Sequence, residues 1–123
     1  MAQYTIMIVD DDLTNRELLQ TVFERMGYGV LHAANGQQAL RLAETEQPSL
    51  VVCDVRMGGM DGYEVCSQIK GNPATSHIPI IMLTAYETEE ERQKALAAGA
   101  DDFSPKMQGW QRLLERIKRL LPA

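Results

Sequence analysis

The chain has 123 residues, a length that suits one domain with a single hydrophobic core and excludes a multidomain protein. It carries 12 lysines and arginines against 17 aspartates and glutamates. The resulting net charge of −5 disfavours nonspecific electrostatic binding to nucleic-acid phosphates. Apolar residues make up 45% and charged residues 24%, as in ordinary globular domains. We therefore expect one domain over residues 1–123 that does not bind nucleic acid directly.

Cysteine content and apolar runs bear on the location of the protein. Cys53 lies in an apolar run and Cys66 in an amphipathic stretch, and two such cysteines are too few for a disulfide framework. The longest apolar runs fall far short of the roughly 20 residues that a membrane span needs, and the chain does not open with a signal-peptide pattern. These features predict a cytoplasmic protein without a membrane partner.

Five short strand patterns alternate with five helix patterns. In chain order, the strands are predicted at residues 6–9, 29–33, 50–53, 78–83 and 102–104. The first, third and fourth runs are almost continuously apolar, as expected when both faces of a parallel strand are covered. The pattern therefore predicts an α/β fold in which a parallel sheet lies between helices.

The intervening segments carry helix signals. Apolar residues from Leu18 to Met26 recur at spacings of three and four, and Gly27 offers a stop. The same spacing recurs between Trp110 and Leu121. Capping residues predict the starts of the three helices between these two, namely Asn35, Asp61 and the capping box Thr88 with Glu91.

Polar residues follow the predicted strands at their carboxyl ends, where parallel sheets place their sites. Asp10, Asp11 and Asp12 follow the first strand and Asp54 follows the third, whereas Thr84 and Lys106 follow the last two. Converging carboxylates repel each other, and the single lysine offsets only one charge. Mg²⁺ prefers such oxygen ligands and keeps other positions open, which suits a phosphoryl group. A carboxylate can attack phosphorus when cations and donors offset the charge, and Asp54, Lys106 and Thr84 supply that set.

The segments IMIVDDDLTNRELL, LVVCDVRMGGMDGYEV, IPIIMLTA and AGADDFSPK together resemble the receiver domain of two-component response regulators, of the chemotaxis-regulator kind. The resemblance covers essentially the whole chain. It implies a flavodoxin-like doubly wound fold, with strand order 2-1-3-4-5 and five helices on both faces of the sheet. Two organisations fit: a stand-alone regulator, or the receiver part of a longer protein.

The resemblance also implies roles for individual residues. Asp54 would be the phosphoacceptor that becomes 4-aspartylphosphate. Asp11, Asp54 and the backbone carbonyl of Arg56 would ligate Mg²⁺, and Asp10 would help to hold the ion through water. The switch positions would be Thr84, which hydrogen-bonds the phosphoryl group, and Phe103. Lys106 would pair with that group.

The partners implied by the resemblance are proteins. A sensor histidine kinase or a histidine phosphotransfer protein would donate the phosphoryl group. A downstream effector protein or domain would read the face formed by the fourth helix, the fifth strand and the fifth helix. A homodimer that depends on phosphorylation also fits. Such a domain is no general enzyme, since it catalyses only its own phosphorylation and dephosphorylation.

Three departures from the family pattern stand out. Met107 follows Lys106 where the family usually has proline, so the family geometry does not carry over to the loop that holds the lysine. Gly58 follows Met57 where proline is common, and because glycine accepts more backbone conformations we expect a looser loop after Asp54. Large side chains, Arg56 and Tyr86, stand two positions after Asp54 and Thr84. Because they crowd the path of a hydrolytic water, we predict a long-lived phosphoryl state.

Other interpretations also fit parts of the sequence. Asp10, Asp12 and Thr14 also fit the D-x-D-x-T pattern of phosphohydrolases of the haloacid dehalogenase kind, with Asp10 as nucleophile and Asp12 as acid/base. That alternative gives Asp54 no role. A docking module independent of phosphorylation is a third hypothesis. In a purely structural interpretation, Asp10 to Asp12 form a solvated loop whose last aspartate caps the first helix.

Overall fold

A five-stranded parallel sheet forms the centre of this computed structural model, which describes residues 3–85, 88–106 and 110–122. The strands are β1 (Thr5–Val9), β2 (Gly29–Ala33), β3 (Leu50–Asp54), β4 (Ile80–Thr84) and β5 (Asp102–Pro105). The helices are α1 (Leu13–Arg25), α2 (Gly36–Glu46), α3 (Gly62–Gly71), α4 (Glu89–Ala97) and α5 (Gln111–Leu120). None of the described helices is long and apolar enough to cross a bilayer.

The strand order is β2-β1-β3-β4-β5, and every neighbouring pair is parallel. This confirms the α/β fold and the order 2-1-3-4-5. The register pairs Val9 with Cys53, and Asp54 with Leu83. The carboxyl ends of β1, β3 and β4 therefore meet at one edge of the sheet.

The predicted fourth strand starts two residues later than the apolar run suggested. Ile78 donates its N–H to the carbonyl of Thr75 and so belongs to a turn. Pro79 has no N–H, although its carbonyl accepts from Val51 of β3. Ladder pairing begins at Ile80, which is the partner of Val51 in the register.

Both faces of the sheet are buried, which explains the continuous apolar runs. In β1, Met7 and Val9 pack into one cluster, whereas Ile6 and Ile8 pack into the other. The first cluster is covered by buried residues of α2, α3 and α4, and the second by those of α1 and α5. Of the residues of α4, only Ala95 is buried, so this helix is the least anchored of the five.

Side-chain caps define the starts of four helices. Each capping oxygen accepts a hydrogen bond from a backbone N–H three residues later. The caps are Asp12, Asn35, Asp61 and Thr88. The predicted caps at Asn35, Asp61 and Thr88 are thus present.

The two cysteine thiols are free and buried in the same core cluster. Burial raises the pKa of the Cys53 thiol well above its ordinary value. It also raises the pKa of Cys66, to about 11. Because the thiolate is the reactive form, neither cysteine is suited to chemistry at neutral pH.

Gly62 lies where α3 begins, directly against the end of β3. A Cβ atom added there would sit 2.1 Å from the carbonyl oxygen of Asp54. We predict that Gly62→Ala lowers the free energy of unfolding by about 1–3 kcal/mol, because backbone must move. Gly71→Ala, at the other end of α3 with nothing within 4 Å, should be neutral or stabilising. Urea denaturation of both variants measures the difference, and equal stabilities would contradict the prediction.

Candidate functional site

The predicted carboxylates meet at the carboxyl edge of the sheet. Asp10 follows β1 directly, and Asp54 is the last residue of β3. One carboxylate oxygen from each of Asp10, Asp11 and Asp54 lies within 4.8 Å of the other two. Three oxygen donors in this arrangement suit a hard divalent cation, so the residues fit the predicted Mg²⁺.

Lys106 provides a positive charge close to the acidic group. Its Nζ lies 3.0 Å from Oδ2 of Asp54 and 3.9 Å from Oδ2 of Asp10. The backbone N–H of Lys106 donates to the carbonyl of Thr84, which fastens the lysine to the end of β4. Among the described residues, one ammonium facing three carboxylates leaves an excess of negative charge, which a divalent ion or a proton can offset.

Asp10 and Asp54 are almost inaccessible to solvent, at 2% and 5% of their exposed areas. Burial raises the pKa of Asp54 above its ordinary value, and the nearby charge of Asp10 adds to this effect. The hydrogen bond and charge of Lys106 act in the opposite direction, as does the N–H of Arg56. Since the net shift is upward, the ionised carboxylate of Asp54 is under-stabilised in the metal-free protein.

Hydrogen bonds from the start of α1 orient the Asp10 carboxylate. The N–H of Asp12 donates to Oδ1 at 2.9 Å, and the side-chain amide of Asn15 donates to Oδ2 at 3.3 Å. The side chain of Arg16 contacts the backbone of the same residue, because Nη1 donates to the carbonyl oxygen of Asp10 at 2.7 Å. Neither Asn15 nor Arg16 is among the site residues that the sequence predicted. The available signal was their place in the first helical turn, which faces back over the end of β1.

The loop after β3 closes the other side of the site. The N–H of Gly58 donates to Oδ2 of Asp11 at 3.1 Å, and the N–H of Arg56 donates to Oδ1 of Asp54 at 3.4 Å. Gly59 has φ +76°, a conformation that favours glycine. The second glycine of this loop thus meets a backbone requirement, and the first ties the loop to Asp11.

The two predicted switch positions lie on neighbouring strands. Thr84 is buried at the end of β4, and Phe103 is half-buried in β5 against the cluster that contains Met82. Phe103 also lines a groove of about 450 Å³ between α4 and α5. Met107 and Tyr86, whose identities depart from the family pattern, lie outside the described residues.

Comparison with known proteins decides the family. The family described as "Response regulator receiver domain" matches residues 6–118. The chain belongs to this family. It is 40% identical over 116 residues to the alkaline phosphatase synthesis transcriptional regulatory protein PhoP of Bacillus subtilis, covering 94% of this chain and 48% of that protein. The receiver domain spans about half the length of the first curated relatives that it matches.

Solved structures agree with this assignment. A response regulator from Chloroflexus aurantiacus superposes with a TM-score of 0.90 at 38% identity, covering 95% of this chain and 96% of its own. The response regulator TrrA from Thermotoga maritima, in complex with Mg²⁺-BeF, gives a TM-score of 0.87 at 33% identity, covering 97% and 100%. The receiver fold is therefore shared over nearly the whole chain.

The phosphohydrolase alternative is not supported. The family match assigns the chain to receiver domains, and Asp12 occupies a structural position. Its carboxylate accepts a hydrogen bond from the N–H of Asn15 as the cap of α1, and the residue is exposed.

Because the pKa of Asp54 is raised on folding, its contribution favours the folded state below the ordinary aspartate pKa. That contribution is lost as the pH rises through the raised value. We predict that Asp54→Asn stabilises the metal-free receiver domain at about pH 7, and that the gain shrinks toward about pH 4. Thermal unfolding in a chelator measures both values. The matched control is Asp12→Asn, which retains a good cap; a gain of equal size there would contradict the prediction.

Proposed function

We propose that this receiver domain accepts a phosphoryl group on Asp54 in a reaction that depends on Mg²⁺. The observation that carries the proposal is the buried Asp54 carboxylate, 3.0 Å from the Lys106 ammonium and grouped with Asp10 and Asp11. The TrrA structure supports it, because that relative was solved with Mg²⁺ and BeF. The proposed donor is a phosphohistidine on a sensor histidine kinase or a histidine phosphotransfer protein.

The acidic residues would hold the ion. Asp11 and Asp54 would ligate Mg²⁺ with their carboxylates, and Arg56 with its backbone carbonyl, while Asp10 would act through water. The N–H of Arg56 already donates to Asp54, so its backbone runs beside the acceptor. When bound, the cation offsets negative charge on the transferring oxygens.

Phosphoryl transfer would then use residues already in place. A carboxylate oxygen of Asp54 forms the new bond to phosphorus while the bond between phosphorus and the donor imidazole nitrogen breaks. The nitrogen keeps that electron pair. Lys106, now paired with Asp54, would pair with a phosphoryl oxygen, and the hydroxyl of Thr84 would donate to another.

The readout would pass through the face formed by α4, β5 and α5. Only Ala95 of α4 is buried, and Phe103 lines the groove between α4 and α5. Movement of Thr84 and Phe103 toward the modified site would shift the balance between two positions of α4 at low energetic cost, because that helix is weakly held. A downstream effector protein or domain would recognise that change, and a phosphorylation-dependent homodimer would use the same face.

These assignments make the domain a signalling module whose chemistry is confined to its own phosphorylation and dephosphorylation. Its PhoP relative is named a transcriptional regulator, and this domain matches about half of that protein. Any contact with nucleic acid would therefore belong to an effector rather than to residues 1–123. The cytoplasmic location stays a prediction from the sequence.

Incubation with MgCl₂ and acetyl phosphate should add one phosphoryl group, located on Asp54 by mass spectrometry of the intact protein and its peptides. Asp54→Asn should abolish the addition, because its amide cannot form the acyl phosphate. Asp12→Asn, which replaces an exposed acid at the same edge of the sheet, should retain it. A modified wild type whose label survives in Asp54→Asn would refute the assignment of the acceptor.

The lifetime of the phosphoryl group on Asp54 tests the prediction that Arg56 and Tyr86 obstruct the path of a hydrolytic water. Arg56 is exposed and lines an open groove of about 560 Å³ together with Asp11. We predict that Arg56→Ala speeds dephosphorylation by about threefold, or about 0.7 kcal/mol in barrier height, because water gains access to phosphorus. Tyr86→Ala should act in the same direction.

The matched control for the lifetime measurement is Arg41→Ala, which removes an exposed arginine on α2. Decay is followed by mass spectrometry after acetyl phosphate has been removed and with MgCl₂ present. If neither Arg56→Ala nor Tyr86→Ala decays faster than this control, crowding by these side chains does not set the lifetime.

A further inference from the structure

Three side chains form a hydrogen-bonded chain from the edge strand β2 to the turn after β1. In the first part of α1, Arg16 donates from Nη1 to the carbonyl oxygen of Asp10 at 2.7 Å. Its Nε donates to Nδ1 of His32 in β2 at 3.3 Å. Nε2 of His32 lies 2.7 Å from Oε1 of Gln20, one turn further along α1. All three side chains are half-buried.

These contacts orient the imidazole ring of His32. Because Nδ1 accepts from Arg16, it carries no proton, and Nε2 must carry the hydrogen that Gln20 accepts. The ring is therefore held at both nitrogens. The His32 ring in turn orients the planar guanidinium of Arg16. Nε of Arg16 points at His32 in β2, and Nη1 points at the carbonyl of Asp10.

The carbonyl that Arg16 holds belongs to the peptide linking Asp10 to Asp11, two of the three acidic residues. The other end of Asp10 is fixed by its N–H, which donates to the carbonyl of Ala33 in β2. Arg16 thus fixes the direction in which the chain leaves β1. A rotation of this peptide would displace the Asp11 carboxylate relative to Asp54.

We propose that Arg16 is a positioning residue for the metal site: held by His32, it locks the Asp10 peptide so that the carboxylates of Asp10 and Asp11 converge on one cation. This inference rests on the proposed use of Mg²⁺. The positive charge of Arg16 works against cation binding. If charge alone mattered, removing Arg16 would tighten Mg²⁺ binding, whereas loss of positioning would weaken it.

The opposite signs make the test direct. Metal-free wild type, Arg16→Ala and Arg16→Lys are titrated with MgCl₂ by isothermal titration calorimetry. We expect Kd to rise by about tenfold in both variants, the usual scale for losing a residue that orients metal ligands. Arg16→Lys keeps the positive charge but lacks the planar guanidinium that donates to two acceptors in fixed directions. A higher Kd in this variant therefore reports the loss of positioning and not a change of charge. An unchanged or lower Kd in Arg16→Ala overturns the proposal.

A second variant tests the same link without touching Arg16. His32→Leu removes the acceptor that orients the guanidinium and should raise Kd in the same direction. Combined with Arg16→Lys, it should add little, because both changes break one chain of contacts. Fully additive effects would overturn the proposal. Should Arg16→Ala fail to fold, which circular dichroism would reveal, Arg16→Lys and His32→Leu carry the test.

The control is Arg25→Ala, which removes an exposed arginine from the other end of α1 and should leave Kd unchanged. The outcomes separate the inference from the proposed function. Wild type that binds Mg²⁺ but is not phosphorylated on Asp54 refutes the function alone. Phosphorylated wild type with unchanged Kd in the Arg16 variants refutes the inference alone. Wild type that does not bind Mg²⁺ refutes both.

Discussion

Repulsion among three carboxylates at one edge of the sheet is the constraint on which the rest of the structure depends. Two unit charges about 4 Å apart repel by roughly 4 kcal/mol at an effective dielectric near 20. The pairing of Val9 with Cys53 brings the following residues, Asp10 and Asp54, to the same place, so the fold creates this cost. Apolar packing on both faces of the sheet keeps the ends of β1 and β3 fixed against the repulsion. The charge excess that Lys106 leaves is what makes the site ready for a cation.

The two faces of the sheet differ in how firmly they hold this site. On one face, α1 packs with the buried side chains of Leu19 and Phe23, and its first turn contacts Asp10. On the other face, α4 contributes a single buried alanine. A change in charge at the strand ends therefore meets firm packing on the α1 face and little resistance at α4. This asymmetry favours the proposed readout through α4 over one through α1.

Local sequence predicted the strands because polar residues interrupt apolar runs where the strands end, as Asp54 does after Cys53. Alternation predicted a parallel sheet, but the strand order came from the family resemblance, since periodicity does not say which strands are neighbours. The contact between Arg16 and His32 shows the limit of motif reading. It joins residues 16 positions apart and exists only because β2 lies beside β1. Neither residue carries a recognisable metal-binding spacing, so only the folded arrangement brings them to the Asp10 peptide.

The start of α3, which follows the loop beside Asp54, is also linked to α4 by a side chain that belongs to none of the predicted site residues. Tyr63, in the first turn of α3, donates its hydroxyl to the carboxylate of Glu91 on α4. Burial raises the pKa of Tyr63, and the adjacent Glu91 raises it further, so the phenol stays protonated and remains a donor at neutral pH. Glu91 was expected only as half of a capping box, yet its carboxylate reaches across to another helix. Because α3 follows the loop that holds Asp11 through Gly58, this bond connects the loop to the helix that is otherwise least anchored. The first turn of α4 therefore has a direct route by which to respond when that loop shifts.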